Sequence, residues 1–261
     1  MLIAGLFDIH GNLPALDAVL TEVERAGVDL IVIGGDIASG PMPAETLDRL
    51  LELGSRVHYV RGNADRELVN ARESWTAGVP PPSELTSREP AREWEAPRLR
   101  PRHRELLASF ELSLSEAVHG LGEVLFCHAS PRSDEEIITS LTTDELLTQA
   151  LAGTSARVIV AGHTHVQLDR RIGRQRFVNA GSVGMPYEDD PGAYWVLVGE
   201  DVSLLRTSYD YAGAADLIRA TGHPEAEDMV RECLLEPIGS AEATRHFDAI
   251  ARTRRPPPPS I

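Results

Sequence analysis

Seven aspartate, asparagine and histidine residues of this chain directly follow short apolar segments. Glycine precedes several of them, as in Gly35-Asp36, Gly62-Asn63 and Gly162-His163-Thr164-His165. The seven residues are Asp8, His10, Asp36, Asn63, His128, His163 and His165. Carboxylate, amide and imidazole donors without a thiolate favour Mn, Fe, Co, Ni or Zn over Ca or Cu(I). The pattern therefore predicts a site for divalent metal ions.

The apolar segments before these residues have the composition of buried β-strands. They are Leu2–Phe7, Leu30–Ile33, Val57–Val60, Glu123–Cys127 and Val158–Ala161. Patterns of amphipathic helices separate the first three, at Pro14–Ala26 and Ala44–Leu53. This alternation predicts parallel strands in an α/β fold. Because the carboxyl ends of such strands meet at one edge of the sheet, we expect the seven side chains to converge there.

Seven ligands exceed the four or so that a tetrahedral zinc ion takes. They suit two divalent ions that share a bridging carboxylate. Two ions about 3.5–4 Å apart are an arrangement that supports in-line attack at phosphorus. The chain contains no lysine, so all 25 basic residues are arginine. Schiff-base chemistry and a phosphate-binding P-loop are thereby excluded.

Five motifs in one order carry a resemblance to a known family: Asp8-x-His10, Gly35-Asp36, Gly62-Asn63, His128 and Gly162-His163-x-His165. In this order they resemble the calcineurin-like metallophosphoesterase superfamily. The segment Asn179-Ala180-Gly181-Ser182-Val183-Gly184 resembles a turn in the small bacterial and archaeal phosphodiesterase branch of that superfamily. The resemblance implies a four-layered α/β/β/α sandwich of two mixed β-sheets.

The resemblance also implies a role for each of the seven residues. Asp8, His10 and His165 would hold one ion, and Asn63, His128 and His163 would hold the other. Asp36 would bridge the two ions. A hydroxide between the ions would attack phosphorus in line, with Asp36, Asn63 and His128 at the catalytic centre. Asn12 and Arg61, close to the same edge, are predicted to bind substrate.

The expected activity is that of a phosphodiesterase acting on a small or nucleotide-like phosphate ester. A phosphomonoesterase, a protein phosphatase and a dinucleoside polyphosphate hydrolase would use the same site. A non-catalytic scaffold of this fold is a further alternative, although scaffolds of this kind normally lose ligands and none of the seven is missing here. Asp65, two residues after Asn63, is expected to cap the following helix.

One position departs from the family pattern. Many members have Gly-Asn-His followed by an acidic residue, whereas this chain has Gly62-Asn63-Ala64-Asp65. The histidine normally protonates the leaving oxygen or contacts the phosphoryl group, and Ala64 can do neither. General acid catalysis contributes about 10²–10⁴ in rate. We therefore expect a preference for diesters or activated esters over simple alkyl monoesters.

Residues 1–207 are expected to form the metallophosphoesterase domain, interrupted by a proline-rich insert at about residues 71–104. The insert would be a lid or a loop. Arg98, Arg100, Arg102 and Arg104 form a basic cluster there, interpreted either as a solvated helix start or as an attractor of anionic substrate. Trp75 and Trp94 either anchor the insert or stack on a nucleobase.

Four closely spaced strands are predicted after His165, and the spacing favours a meander and hence mixed sheets. They are Leu168–Ile172, Arg176–Asn179, Ala193–Val198 and Val202–Thr207. Residues 208–261 are expected to form a helical extension that packs on the same domain and ends in a proline-rich tail. Its helical patterns are Ala212–Ala220, Ala226–Leu234 and Ala241–Arg252.

Composition limits the partners of the chain. The 261 residues carry 40 acidic and 25 basic side chains, a formal net charge of −15. Stable binding to nucleic acid is not expected, because it requires clustered cations. Two cysteines and the absence of a signal-peptide pattern or a membrane-length apolar segment favour a cytoplasmic protein. The expected partner is a small-molecule phosphate ester, and the oligomeric state stays open.

Overall fold

The computed structural model describes residues 1–76 and 89–254. The part of the insert between residues 77 and 88 and the proline-rich tail from residue 255 onward lie outside the described residues. The rest of the chain forms two five-stranded mixed sheets with helices on both outer faces. The predicted α/β sandwich is thus confirmed.

The first sheet contains three parallel strands and an antiparallel pair. In spatial order its strands are β10 (Val202–Thr207), β9 (Ala193–Val198), β1 (Ile3–Leu6), β2 (Leu30–Ile33) and β3 (Val57–Tyr59). β1 runs parallel to β2, and β2 runs parallel to β3, as the strand–helix alternation predicts. Consequently the ends of these three strands, each followed by a predicted ligand, lie at one edge.

The second sheet also combines parallel and antiparallel pairs. In spatial order its strands are β4 (Ser113–Val118), β5 (Gly122–Cys127), β6 (Val158–Ala161), β8 (Gln175–Asn179) and β7 (Leu168–Ile172). β5, β6 and β8 are parallel. The prediction of a meander is wrong, because β7–β8 and β9–β10 are antiparallel hairpins in two different sheets. The chain crosses between the sheets after β8.

Alternation along β1 explains why the sheets stack. Ile3 and Phe7 point into an apolar cluster between the two sheets, where Phe126 and Val160 of the second sheet also lie. Residues on the opposite face of β1 pack beneath the first two helices. Both faces of the strand are therefore buried, which explains its continuous apolar sequence.

Nine α-helices are described in residues 1–76 and 89–254. They are α1 (Leu13–Ala26), α2 (Pro43–Leu51), α3 (Asn63–Thr76), α4 (Glu89–Glu95), α5 (Pro101–Ala108), α6 (Asp144–Ala150), α7 (Tyr211–Ala220), α8 (Ala226–Met229) and α9 (Ser240–Thr253). A π-helical segment, Val230–Leu235, continues α8. None of the described helices is long and apolar enough to cross a membrane.

The described part of the insert is helical. Arg100 and Arg102 of the basic cluster pair with the carboxylate of Asp48 in α2. The guanidinium of Arg98 lies 3.4 Å from the centre of the Trp94 ring. These contacts tie the cluster to α2 and to the insert itself. They agree with the interpretation of the arginines as a helix start, with Asp48 as the acidic partner.

Candidate metal centre

The backbone is strained at five of the seven predicted ligands. Asp8, His10, Asp36, His163 and His165 have φ between 47° and 70°, in the left-handed region. No other non-glycine residue in the described ranges has a positive φ. Such a conformation costs about 1–3 kcal/mol for a residue with a side chain. The fold therefore accepts local strain at these five positions, which turns their side chains toward one point.

Two glycines allow the backbone of neighbouring strand ends to approach the carboxylates. A Cβ atom on Gly62 would lie 2.1 Å from Oδ1 of Asp36, and one on Gly162 would lie 2.3 Å from Oδ2 of Asp8. Both distances are far below van der Waals contact. Glycine is thus required at these two positions because the carboxylates occupy the space of any side chain.

Three histidines present the same ring nitrogen to the centre. Their Nδ1 atoms contact backbone carbonyl oxygens: His10 with Ser39 at 3.0 Å, His128 with Gly34 at 2.8 Å, and His165 with Met185 at 2.7 Å. A carbonyl oxygen only accepts, so Nδ1 must carry the hydrogen. In the neutral ring each Nε2 then offers a lone pair, the arrangement typical of histidine ligands fixed by a second hydrogen bond.

The donor atoms form two groups around the carboxylates. Asp8, His10 and His165 form the first, and Asp8, Asp36 and His128 form the second, with one donor from each residue within 4.8 Å of the others. The first group matches the set predicted for one ion. Asp8 belongs to both groups, while Oδ2 of Asp36 lies 3.8 Å from Nε2 of His10 and 3.5 Å from Nε2 of His128.

Asn63 and His163 complete the arrangement. Oδ1 of Asn63 lies 3.2 Å from Nε2 of His128, and the His128 and His163 rings are 5.1 Å apart. All seven predicted ligands consequently lie in one cluster. Asn63, at the start of α3, and His163, after β6, face the same cavity as His10, Asp36 and His165.

Electrostatics in the cluster are those of an anionic site that attracts cations. Burial alone would raise the pKa of the Asp36 carboxyl, but the charge of His128 lowers it well below its usual range. Burial would also lower the pKa of His128, yet Asp36 and Asp8 raise it to about 10. In contrast, burial and the nearby His128 lower the pKa of His163 to about 4. Metal ions would displace the proton that His128 otherwise holds.

The residues present fit divalent metal ions. Oδ1 of Asp8 and Nε2 of His163 are buried and lack a hydrogen-bond partner among the described residues. Nε2 of His10 and Nε2 of His165 lie only 3.2 Å apart. These two nitrogens can share either a proton or a cation. Buried polar atoms normally have partners, so the unpaired atoms of Asp8 and His163 indicate metal ligands.

Asp65 positions the loops that carry the ligands, a role that exceeds the predicted helix cap. Its carboxylate accepts hydrogen bonds from the backbone N–H groups of Asp36 at 2.8 Å, Ile37 at 3.0 Å and Gly62 at 3.1 Å. It therefore joins the loop after β2 to the loop after β3. Burial and the charge of Asp36 raise the pKa of Asp65 to about 7.

The segment that resembles the family turn holds two other ligand loops. Oγ of Ser182 donates to the carbonyl oxygen of Asp8 at 2.7 Å, and Nδ2 of Asn179 donates to that of Gly162 at 2.6 Å. The turn thus fixes the backbone on either side of the cluster. The sequence pattern marks this segment but predicts no role for these two side chains.

The two residues predicted to bind substrate have different environments. Asn12 is fully buried, and its amide accepts from the N–H of Ala15 and donates to the carbonyl oxygen of Gly184. Its side chain caps α1 and holds the turn, which differs from the predicted contact with substrate. Arg61 is about one-third exposed, and its Nε lies 3.3 Å from the Asp134 carboxylate.

A cavity of about 430 Å³ opens in front of the cluster. It is lined by His10, Asp36, Asn63, His163 and His165 and also by residues of the helical extension. Tyr187 stacks on His165, with ring centres 5.1 Å apart. The volume lies within the range of sites for small molecules and cofactors.

Comparisons with known proteins identify a family that the chain matches. A family model described as the calcineurin-like phosphoesterase superfamily domain matches residues 1–201. Phosphodiesterase YfcE of Escherichia coli K12 is 26% identical over 207 residues, which cover 76% of this chain and 88% of that protein.

Solved structures show the same fold. The crystal structure of a metallophosphoesterase from Sphaerobacter thermophilus has a TM-score of 0.70 at 26% identity and covers 93% of this chain and 99% of its own. The structure of protein PH1004 from Pyrococcus horikoshii has a TM-score of 0.74 at 22% identity, with 89% and 97% coverage.

Proposed function

The chain belongs to the calcineurin-like phosphoesterase superfamily, and from that premise we propose that it is a phosphodiesterase with two divalent metal ions. Membership makes it a metal-dependent hydrolase of phosphoric esters. The main support for two bound metal ions is the convergence of the seven predicted ligands. Five of them have a strained left-handed backbone. The phosphodiesterase assignment is also supported by the similarity to YfcE.

The proposed ligand sets of the two ions are those that the family resemblance implies. We assign Asp8, His10 and His165 to one ion. Asn63, His128 and His163 are assigned to the other, with Asp36 between the two. The buried, unpartnered atoms of Asp8 and His163 support their assignments. Mn, Fe, Co, Ni and Zn all suit this donor set.

Divalent ions bound there would supply Lewis acidity, which lowers the pKa of water and neutralises charge on a phosphoryl group. The chain's own residues fix the geometry. Hydrogen bonds from Nδ1 to backbone carbonyls hold the His10, His128 and His165 rings in one orientation. Asp36 and Asp8 remain ionised, since nearby histidines hold their pKa values low. Arg61 is proposed to bind a phosphoryl oxygen with its exposed guanidinium.

The proposed substrate is a small diester. A cavity of about 430 Å³ suits a molecule of nucleotide size or smaller. Ala64 lies beside the centre, since its backbone N–H donates to Oδ1 of Asp36 at 2.8 Å. An alanine there supplies no acid for a poor leaving group, which disfavours simple alkyl monoesters. A monoesterase, a protein phosphatase and a dinucleoside polyphosphate hydrolase would share the metal site and differ in substrate.

Turnover of three substrates tests the proposal. Full-length protein is freed of metal with a chelator, reloaded with Mn²⁺, and assayed with bis-p-nitrophenyl phosphate, p-nitrophenyl phosphate and a sugar phosphate. We expect the diester to be hydrolysed fastest, and metal analysis to give two ions per chain. Fastest turnover of the sugar phosphate would contradict the diester preference. Full ion loading without hydrolysis of any ester would favour the scaffold alternative.

The remaining features are inferred from composition. The acidic surface and the small cavity argue against a nucleic-acid substrate. A cytoplasmic location stays a prediction, for which fractionation of cells expressing the full-length chain is the direct test.

A further inference from the structure

The helical extension reaches the metal centre although it lies outside the family domain. The family model ends at residue 201. Nevertheless His223, Met229 and Phe247 line the same cavity as His10 and His165. We call these three residues the cavity wall. The wall therefore belongs to the part of the chain that the family model does not match.

A buried junction attaches the wall to the domain. Oε1 of Glu95, at the end of α4, lies 3.0 Å from Nε2 of His223. Oγ of Ser39, in the loop after β2, donates to the same carboxylate at 3.3 Å. Glu95 is fully buried, and Ser39 and His223 are 5% and 6% exposed. The junction thus joins the metal-ligand loop, the insert and the extension at one point.

The junction fixes both nitrogens of the His223 ring. The backbone N–H of Glu225 donates to Nδ1 at 3.1 Å. Because Nδ1 accepts, Nε2 carries the hydrogen and donates to Glu95. His223 consequently has no proton directed at a substrate, and it does not replace the histidine that Ala64 lacks. Its contribution is to hold the position of the wall.

Neighbouring groups reinforce this position. The Trp94 ring packs edge-on against the His223 ring, with centres 5.0 Å apart. This contact favours the interpretation of Trp94 as an anchor over that of a nucleobase platform. The charge of Glu95 also acts on the nearby Arg92, which pairs with Glu67 of α3. A buried carboxylate with several partners gives a rigid attachment, since any movement would leave a charge unpaired.

On this basis we propose that Glu95 and His223 determine substrate specificity by fixing the wall, so that the enzyme accepts small diesters and rejects oligomeric ones. The inference rests on the proposed phosphodiesterase function. The metal ligands His10 and Asp36 and the three wall residues line one cavity of about 430 Å³. In a cavity of that volume, a substituent larger than a single nucleoside would contact the wall when its phosphoryl group reaches the ligands.

A size series of activated diesters tests the proposal. The substrates are p-nitrophenyl phosphodiesters whose second substituent is methyl, thymidine or a dinucleotide. The wild-type chain is compared with His223→Ala, Glu95→Ala and Glu95→Gln. We expect both alanine variants to raise kcat/KM for the dinucleotide ester, relative to the methyl ester, about tenfold through KM. Glu95→Gln should restore the wild-type ratio, because its Oε1 can still accept from His223.

A control and a second wall variant keep the test decisive. Glu227→Gln removes an exposed ion pair with Arg219 in the same extension, outside the wall, and should leave the ratio unchanged. Phe247→Ala, in α9, also enlarges the cavity and leaves the junction of Glu95 and His223 intact. It provides the test if His223→Ala does not fold. If His223→Ala and Phe247→Ala both fold and both leave the ratio unchanged, the inference about the wall is wrong, while the proposed function is unaffected. Failure of the wild type to hydrolyse any diester would instead refute the proposed function.

Discussion

The ligand loops and the cavity wall line one cavity, and they are built in different ways. The loops follow parallel strands, adopt strained left-handed conformations and depend on glycines that allow close approach. The wall comes from α8, α9 and the turn before α8, and it is attached through side chains, with Glu95 and His223 at its junction. The loops lie within residues 1–201 that the family model matches, and the wall lies outside them.

This difference separates chemistry from selectivity. Metal ligands must be placed within a fraction of an ångström, which rigid strand ends achieve. A wall needs only the right shape and distance, so it can be supplied by a peripheral element that varies among relatives. Substitutions in the loops should therefore abolish turnover of every substrate, whereas substitutions in the wall should change which substrate is preferred.

Asp36→Asn should have the largest effect. The amide removes the negative charge that faces both ligand groups, so metal binding is weakened. Without the metal, the charge of the transition state loses several kcal/mol of stabilisation, or about 10³-fold in kcat/KM. We expect all diesters to be affected alike and the metal content to fall. Asp216→Asn, an exposed carboxylate in α7, serves as the control. Undiminished metal content and activity in Asp36→Asn would contradict the ligand assignment.

Gly162→Ala should have the next largest effect. The added Cβ would lie 2.3 Å from Oδ2 of Asp8 and must displace that carboxylate. A misplacement of about 1 Å costs about 10²-fold in rate. In Gly199→Ala, the Cβ meets only the flexible end of Leu2, so activity should be retained. Equal kcat/KM values for the two variants would show that the close approach at Gly162 is unimportant.

The contrast between the regions also explains what could be predicted from the sequence. Strand ends follow from local apolar patterns, and the structure brings together the residues directly after them, Asn63 and His128 among them. The apolar pattern does not predict the edge strand β4, because three of the six residues of Ser113–Val118 are polar and no apolar run marks the segment. In the insert, prolines suggested a loop, although Pro101 occupies the first turn of α5, where proline is tolerated.

The wall could not be predicted in the same way. Glu95 and His223 are 128 positions apart, and neither stands in a recognisable pattern. Their contact depends on how the insert and the extension pack, which a local pattern does not encode. Asp65 was assigned to a helix cap for a similar reason, since its partner Asp36 lies 29 positions away.

Ala64→His tests whether the loop region also contributes to selectivity. The residue lies beside Asp36, and an added imidazole would supply the acid that the family usually has there. We expect the kcat/KM ratio of a sugar phosphate, an alkyl monoester, to p-nitrophenyl phosphate to rise about tenfold, below the range for an optimised acid because nothing orients the new ring. An unchanged or lower ratio would show that turnover of alkyl monoesters is limited by something other than the missing acid.

The smallest effect is expected where the insert is attached away from the metal centre. Asp48 pairs with Arg100, Arg102 and His103, and although desolvation opposes them, these partners lower its pKa from 3.8 to about 2. A lowered pKa in the folded state stabilises the protein above pH 3.8, and this stabilisation is lost as the pH falls toward 2. The free energy of unfolding should therefore fall more steeply over this pH range in the wild type than in Asp48→Asn.

At neutral pH, Asp48→Asn should lower the free energy of unfolding by about 1 kcal/mol, since the carboxylate is partly exposed and screened. Glu52→Gln, which weakens an exposed pair with Arg49, is the control and should change little. Urea unfolding at several pH values gives both quantities. If Asp48→Asn also altered the size ratio of diester substrates, the attachment at α2 would have to be coupled to the wall through Glu95. An unchanged ratio with reduced stability would confine substrate selection to the junction at Glu95 and His223.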